Sequence, residues 1–291
     1  MLTTNEAADY LRMGERKLYE LVSSGAIPCT KVSGKWLFPR DELDRWVLSG
    51  LVRPAGMIAS NPPPIIGGSQ DALLEWSLRE SGSGLATLSE GTESGVGRLL
   101  RGEVIAAAVH YHHADTGDDA NIEAVKNMSG FHDAVLVGFA RREQGLLVSP
   151  GNPKQFTGLS DAIEKGARMA VRQAGAGAQM LLDVSLKRLG TNIKNLRLVD
   201  PPCLTGPDLA SAVRNGHADC GIATRAAAKS GGLDFVPLVW EHFDLLTRQR
   251  FYFQQPLQSL FHSQRSERFI ERATQLSGYD VSQAGKIRYA S

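Results

Sequence analysis

Three imidazoles and a carboxylate fall within six residues at His110-Tyr111-His112-His113-x-Asp115. Imidazole and carboxylate are the usual ligands of zinc and related divalent ions. On an extended strand, however, side chains alternate, so His110 and His112 share one face while His113 takes the other. A third ligand must come from elsewhere in the chain. The expectation is therefore a polar lining or surface role for these histidines, and no metal site. Nucleophilic chemistry has less support. Cys203 follows Pro201-Pro202 with no base beside it, Cys220 falls in an apolar strand where a thiol is inert packing, and Cys29 stands alone. No phosphate-binding P-loop, dinucleotide fingerprint, HExxH or GxSxG run is present. The sequence predicts no catalytic residue and no cofactor, and so no enzyme.

A different chemistry is written in the loops. Ser69 follows Ile65-Ile66 and precedes a helical pattern carrying Leu73, Leu74 and Trp76. Gly91-Thr92-Glu93-Ser94-Gly95 is a second strand-to-helix loop, and Arg172 to Gly177 a third. Such loops aim free backbone N–H groups and the positive end of a helix dipole at one place, which suits an anion or polar ligand. Small residues admit the backbone to the ligand, and Ser and Thr hydroxyls add donors. Ser69, Thr92, Ser94, Arg172 and Thr205 are the expected side-chain contacts, with Gly175 and Gly177 in the third loop. For any one Ser or Thr, helix capping is the competing role.

The third region with chemical content lies between Arg12 and Arg40. It holds six basic residues (Arg12, Arg16, Lys17, Lys31, Lys35, Arg40) against Glu15 and Glu20. The whole chain carries a formal net charge of only +1, so any nucleic-acid footprint must be this local one. At 291 residues, 42% hydrophobic and 22% charged, the composition is that of an ordinary globular protein with room for one large and one small domain. Three widely spaced cysteines give no disulfide framework. Neither a secretory signal nor an apolar run long enough to span a bilayer is visible, so a cytoplasmic location is expected.

These groups must be positioned by two kinds of architecture. Thr3 to Glu6 reads as a capping box opening a first helix with Ala7, Ala8 and Leu11 on its apolar face. A second helix runs from about Glu15 to Ser24, stopped by Gly25. Ser33-Gly34-Lys35 turns a short hairpin, and Pro39-Arg40-Asp41-Glu42 opens a third helix. The run Leu51–Pro64, rich in Pro, Gly, Ala and Ser, is the expected linker. Beyond it, short apolar runs alternate with helical patterns, which predicts an α/β domain with parallel sheet. The expected strands are Pro64–Ile66, Leu85–Leu88, Ile105–Val109, Ala134–Phe139, Leu146–Val148, Met169–Val171, Cys220–Ala223 and Phe235–Leu238.

Thr4-x-x-Ala7-Ala8-x-Tyr10-Leu11, Arg16-Lys17-Leu18-Tyr19-x-Leu21-Val22, Gly25-x-Ile27-Pro28 and Gly34-Lys35-Trp36-Leu37-Phe38 together resemble the excisionase-like, MerR-related winged helix-turn-helix domains. That resemblance implies double-stranded DNA as partner. The second helix would enter the major groove with Arg16, Lys17 and Tyr19 toward base edges, while Lys31, Lys35 and Arg40 contact phosphates. Trp36, Phe38 and Trp46 are expected in the core. So small a domain implies a homodimer or higher homo-oligomer on paired half-sites.

Gly67-Gly68-Ser69-x-Asp71, Gly91-Thr92-x-Ser94-Gly95, Ala108-Val109-His110, Asp115-x-x-Gly117, Arg142-x-Gln144-Gly145, Arg172 to Gly177 and Ala218-Asp219-Cys220-Gly221 run through the remainder. With these runs it resembles the cytoplasmic, type 2 periplasmic-binding-protein-like domains that are fused to helix-turn-helix heads. The resemblance implies two α/β lobes, about 64–145 with 253–291 and about 146–252, closing on a ligand in the cleft, with His110 lining it. Domains 1–52 and 64–291 would flank a linker at 53–63. The implied activity is that of a one-component transcriptional regulator responding to an oxyanion such as molybdate or tungstate. The third loop departs from the family's usual Gly-Ser-Gly-Thr-Arg, reading Gly175-Ala176-Gly177-Ala178-Gln179, so a small organic ligand competes. A solute receptor that contacts protein rather than DNA, and a molybdenum cofactor-handling protein, are the readings from other classes.

Overall fold

The computed structural model describes residues 1–50, 62–112 and 120–291. His113, Asp115, Gly117 and most of the expected linker lie outside the described residues. The chain divides into two compact units, Met1–Met57 and Ile58–Ser291. No helix among the described residues is long and apolar enough to cross a membrane.

In the first unit, Thr3 caps α1 (Thr4–Tyr10): its hydroxyl accepts from Glu6 N while the Glu6 carboxylate accepts from Thr3 N at 2.8 Å. A tight turn through Arg12 leads to α2 (Glu15–Ser23), which ends where Gly25 takes φ +67°. The hairpin β1 (Thr30–Val32) and β2 (Lys35–Leu37) turns through Ser33 and Gly34, both at positive φ, and α3 (Arg40–Ser49) follows. Ala7, Ala8, Leu18, Ile27, Phe38 and Leu43 form the core, with Trp36 and Trp46 packed against it. Leu2 and Phe38 exchange backbone hydrogen bonds, and the Trp46 indole N–H donates to the Ala26 carbonyl at 2.7 Å. This is a helix-turn-helix with a wing, and Trp36, Phe38 and Trp46 are structural.

The second unit is an α/β domain of two lobes. Its elements are β3 (Ile65–Gly68), α4 (Ala72–Glu80), β4 (Ala86–Ser89), α5 (Thr92–Arg101), β5 (Ala106–Val109), α6 (Ala120–Lys126) and β6 (Ala134–Val148). There follow α7 (Leu159–Glu164), β7 (Arg168–Arg172), α8 (Gly177–Arg188), β8 (Arg197–Cys203), α9 (Gly206–Arg214), β9 (Cys220–Thr224), α10 (Arg225–Gly231) and β10 (Asp234–Arg248). Short α11 (Gln249–Tyr252), α12 (Gln255–Ser263), α13 (Glu267–Leu276), β11 (Tyr279–Asp280) and β12 (Ile287–Ala290) close the chain. The strand order is β4-β3-β5-β10-β6-β9-β7-β8, with β11 and β12 paired to β6. Parallel β4-β3-β5 builds one lobe, and parallel β9-β7-β8 the other.

What joins the lobes is a pair of fifteen-residue antiparallel strands, β6 and β10. The apolar pattern predicts two separate strands where β6 runs unbroken, and ends β10 at Leu238. Arg141, Arg142 and Gln144 interrupt that pattern, yet the backbone ladder continues through them. The return to the first lobe falls inside β10, which pairs with β5 from Asp244 onward, rather than near residue 252. A single strand serving both lobes leaves no loop to mark the crossing. β8 is a further strand that the pattern does not predict. It is an exposed edge strand carrying Pro201-Pro202, a position that prolines tolerate.

The lobe cores are apolar and separate: Leu73, Phe139, Phe243 and Phe269 in one, Leu146, Met169, Leu182 and Ile222 in the other. Gly68 and Gly95 let α5 approach β3, since a Cβ at Gly95 would collide with the Gly68 backbone. That close contact fixes the start of α5, and with it Thr92, beside Ser69.

Candidate functional site

Two surfaces carry chemistry, one on each unit. On α2 of the first unit, the Arg16 side chain is 96% exposed and Tyr19 is exposed. Arg16 and Lys17 reach only Glu20, at 3.7 and 3.2 Å, on the same helix. Such exposed pairs contribute about 0–1 kcal/mol and yield readily to a phosphate. Lys31, Lys35 and Arg40 are exposed on and beside the wing, Lys31 over the Trp36 ring and Arg40 over the Tyr10 ring. The whole expected DNA-facing set is thus solvent-accessible.

On the second unit, a cavity of about 260 Å³ opens between the lobes. Ser69, Asp71 and His110 line it from one lobe, and Arg172, Gly177, Arg214 and Thr224 from the other. Arg142 and Gln144, both on β6, form part of its wall at the crossing. Alanines at 72, 176, 178, 210, 223, 226 and 227 keep the remaining walls small.

Behind that wall lies a buried polar network centred on Glu241. Its Oε1 accepts from Arg142 Nε at 2.5 Å and from Gln144 Nε2 at 2.9 Å. Its Oε2 lies 3.1 Å from His110 Nδ1 and 2.6 Å from His112 Nε2. Arg142 Nη1 also donates to Asp71 Oδ2, which accepts from the Tyr279 hydroxyl. The other Asp71 oxygen caps α4 by accepting from Leu73 N and Leu74 N. Burial pushes the His110 imidazole down to about 4. Burial alone would raise Glu241, but His110 and Arg142 around it hold the carboxyl well below its ordinary range. Gly177 belongs to the same arrangement, because any Cβ there would strike the His110 ring.

Arg172 has no such partner. Its guanidinium donates to the carbonyls of Cys203 and Leu204 at 3.1 and 2.7 Å and to Gln173 Oε1, and no carboxylate lies within ion-pair distance among the described residues. Burial pulls it below the ordinary arginine range. Beside it, α8 begins without any side-chain cap, with Ala176, Gly177 and Ala178 on the cavity wall. A guanidinium with no contact ion pair among the described residues, next to an uncapped helix N-terminus, forms an anion-attracting corner.

The expected contacts separate into three groups. Ser69, His110, Arg172 and Gly177 line the cavity. Thr92 sits just behind, its hydroxyl 2.8 Å from Ser69 Oγ and accepting from His110 N at 3.3 Å. Ser94, Gly175 and Thr205 do not line it. Ser94 is exposed because α5 turns its side chain outward two positions after Thr92. Gly175, at φ +78°, shapes the turn before α8. Thr205 caps α9, accepting from Asp208 N at 3.1 Å. Sequence reasoning does not name Arg142, Gln144, Arg214 or Glu241 as ligand contacts, although Arg142 and Gln144 stand in a run that carries the family resemblance. Arg142 and Gln144 carry one signal, two polar residues at strand spacing inside an apolar run. Glu241 carries none.

A family model described as a PBP superfamily domain matches residues 75–264, and one described as a helix-turn-helix domain matches residues 1–50. A Bacillus subtilis protein described as uncharacterized protein YvgK is 26% identical over 98% of this chain and 96% of its own length. Among solved structures, a hydrogen peroxide-bound cysteine-to-serine mutant of Corynebacterium glutamicum OxyR superimposes with a TM-score of 0.52 at 12% identity, covering 94% of this chain and 89% of that one. The tungstate ABC transporter structure from Geobacter sulfurreducens also gives 0.52, at 14% identity, over 72% of this chain and 97% of that one. At those identities the likeness is one of fold.

Proposed function

This chain belongs to the PBP superfamily domain family, and from that premise we propose that it is a one-component transcriptional regulator whose cleft senses a small anion. The observation that carries the ligand class is Arg172, a half-buried guanidinium in the cleft wall with no carboxylate in ion-pair contact among the described residues, beside the uncapped start of α8. The helix-turn-helix supplies the output. Arg16, Lys17 and Tyr19 face base edges in the major groove, and Lys31, Lys35 and Arg40 hold the backbone. A homodimer on paired half-sites gives so small a head useful affinity. Lobe closure changes DNA affinity only by as much as the ligand prefers the closed form.

An oxyanion of the molybdate or tungstate type is the first candidate, tungstate being in the name of the Geobacter structure. One observation favours a second reading, a small organic acid carrying a hydroxyl or amino group. Gln144 commits its N–H to Glu241, which fixes the amide orientation and leaves the buried Oε1 without a partner among the described residues. That acceptor asks for a donor, which a bare tetrahedral dianion lacks.

A thermal-shift screen of the full chain against molybdate, tungstate, sulfate and small hydroxy- and amino-acids separates the two. Binding to the folded form raises the melting temperature with ligand concentration. A shift that vanishes in Arg172→Ala supports the cleft, and no shift with any anion rejects the proposal. Absence of DNA retention at low salt, with and without ligand, rejects the regulatory half.

A further inference from the structure

The Glu241 network holds a second kind of chemistry that an anion in the cleft leaves unused. His110 Nδ1, His112 Nε2 and Glu241 Oε2 all lie within 4.8 Å of one another. We propose that these three atoms bind a first-row divalent metal ion of the zinc type. The two distances to Glu241 are close to those of a filled site, and the two imidazole nitrogens lie within 4.8 Å of each other. Ligands about 2.0–2.1 Å from a tetrahedral zinc stand roughly 3.4 Å from each other. The His110–Glu241 edge, at 3.1 Å, is almost there. The His112–Glu241 edge, at 2.6 Å, must open by less than about 1 Å as the ion replaces the shared proton.

Three further features point the same way. The far oxygen of Glu241 is held by Arg142 and Gln144, so the carboxylate presents Oε2 alone to both imidazoles. Outer hydrogen bonds of this kind orient the ligands of metal sites. The network is also short of positive charge: among the described residues, Asp71 and Glu241 share one guanidinium, Arg142, and all three are buried. A bound cation makes up the deficit that burial makes costly. Access is provided by a second cavity, of about 390 Å³, into which His112 and Glu241 face together with Asn121, Ser185 and Trp240. Three protein ligands with an opening onto that cavity leave the fourth position to water or to another ligand. Two nitrogens and one oxygen favour zinc, cobalt, nickel or copper over magnesium or calcium. The bound ion would tie the end of β5 to β10, so that the position of His110 in the cleft wall depends on metal occupancy.

The test uses the full chain, stripped with a chelator and then dialysed against Zn²⁺ or Co²⁺ with no anion ligand present. The expected result is one ion per chain, with Co²⁺ giving the intense visible absorption of a four-coordinate site. His112→Phe, which keeps a ring beside His110, and Glu241→Gln should each weaken binding at least tenfold while the circular dichroism of the metal-free protein is unchanged. Should one variant fail to fold, the other decides. No uptake of either ion, a six-coordinate cobalt spectrum, or binding that survives in a folded variant overturns the proposal. None of these outcomes bears on the anion reading, because the assay contains no anion ligand and leaves Arg172 intact.

Discussion

The charges of the helix-turn-helix unit and those of the cleft are placed under opposite solvent conditions, and the contrast explains what each can do. Among the described residues Arg16 and Lys17 pair only along their own helix, in water, and lose little when a DNA acceptor displaces Glu20. Arg142 stands in the protein interior between Asp71 and Glu241, where each hydrogen bond is costly to lose. Exposed charge gives an adaptable surface for a polyanion. Buried charge gives a fixed wall whose geometry a small ligand can read. Arg172 falls between the two, half-buried and, among the described residues, hydrogen-bonded to neutral oxygens.

Substitutions break or sharpen this comparison in a definite order. Arg142→Ala is the most damaging, because it strands Asp71 and Glu241 in the interior. A loss of about 3–5 kcal/mol in denaturant unfolding is expected, and a loss below about 1 kcal/mol would show that the wall is not held by its charges. Arg16→Ala combined with Lys17→Ala is expected to leave thermal stability unchanged. DNA affinity for a selected duplex should fall roughly 10–100-fold, with a smaller fall on duplexes of unrelated sequence. Affinity measured by fluorescence anisotropy on both kinds of duplex checks this.

A third effect is read in pH. Burial pushes the Asp244 carboxyl up to about 6, against the charge of Arg288 and the hydrogen bond from Asn121. The folded chain therefore binds this proton more tightly than the unfolded one. Stability from this group is complete below the ordinary aspartate range and is lost as pH rises through about 6. Asp244→Asn should flatten that part of the stability–pH curve by about 3 kcal/mol, with the slope rather than the absolute stability as the readout. The smallest effect belongs to the exposed side of the comparison. Thr3→Ala removes the capping box of α1 and should cost the first unit about 1 kcal/mol, visible in its own unfolding transition.

Most of the first unit is legible in the sequence because its determinants are local. The Thr3 cap, the Gly25 stop, the Ser33-Gly34 turn and the apolar face of each helix lie within a few residues of what they control. The strand-to-helix loops of the second unit are legible for the same reason. Ser69 and Thr92 can be found from their own surroundings, whereas Ser94 and Thr205, of the same residue types, are outward-facing and capping. No local signal separates those cases, since the helix start that hides one hydroxyl presents another.

The amino-acid sequence by itself determined the two architectures, the exposed basic face and the loops that point at a cleft, because periodicity, caps and glycines act over short range. Only the tertiary structure decided which groups meet. It carries β6 and β10 unbroken through both lobes and brings Glu241 to His112 across 129 residues of chain. Among the described residues it also gives Arg142 two carboxylates and leaves Arg172 with carbonyl and amide oxygens. Pairing of buried charges depends on distance through space, which residue spacing along a strand does not encode.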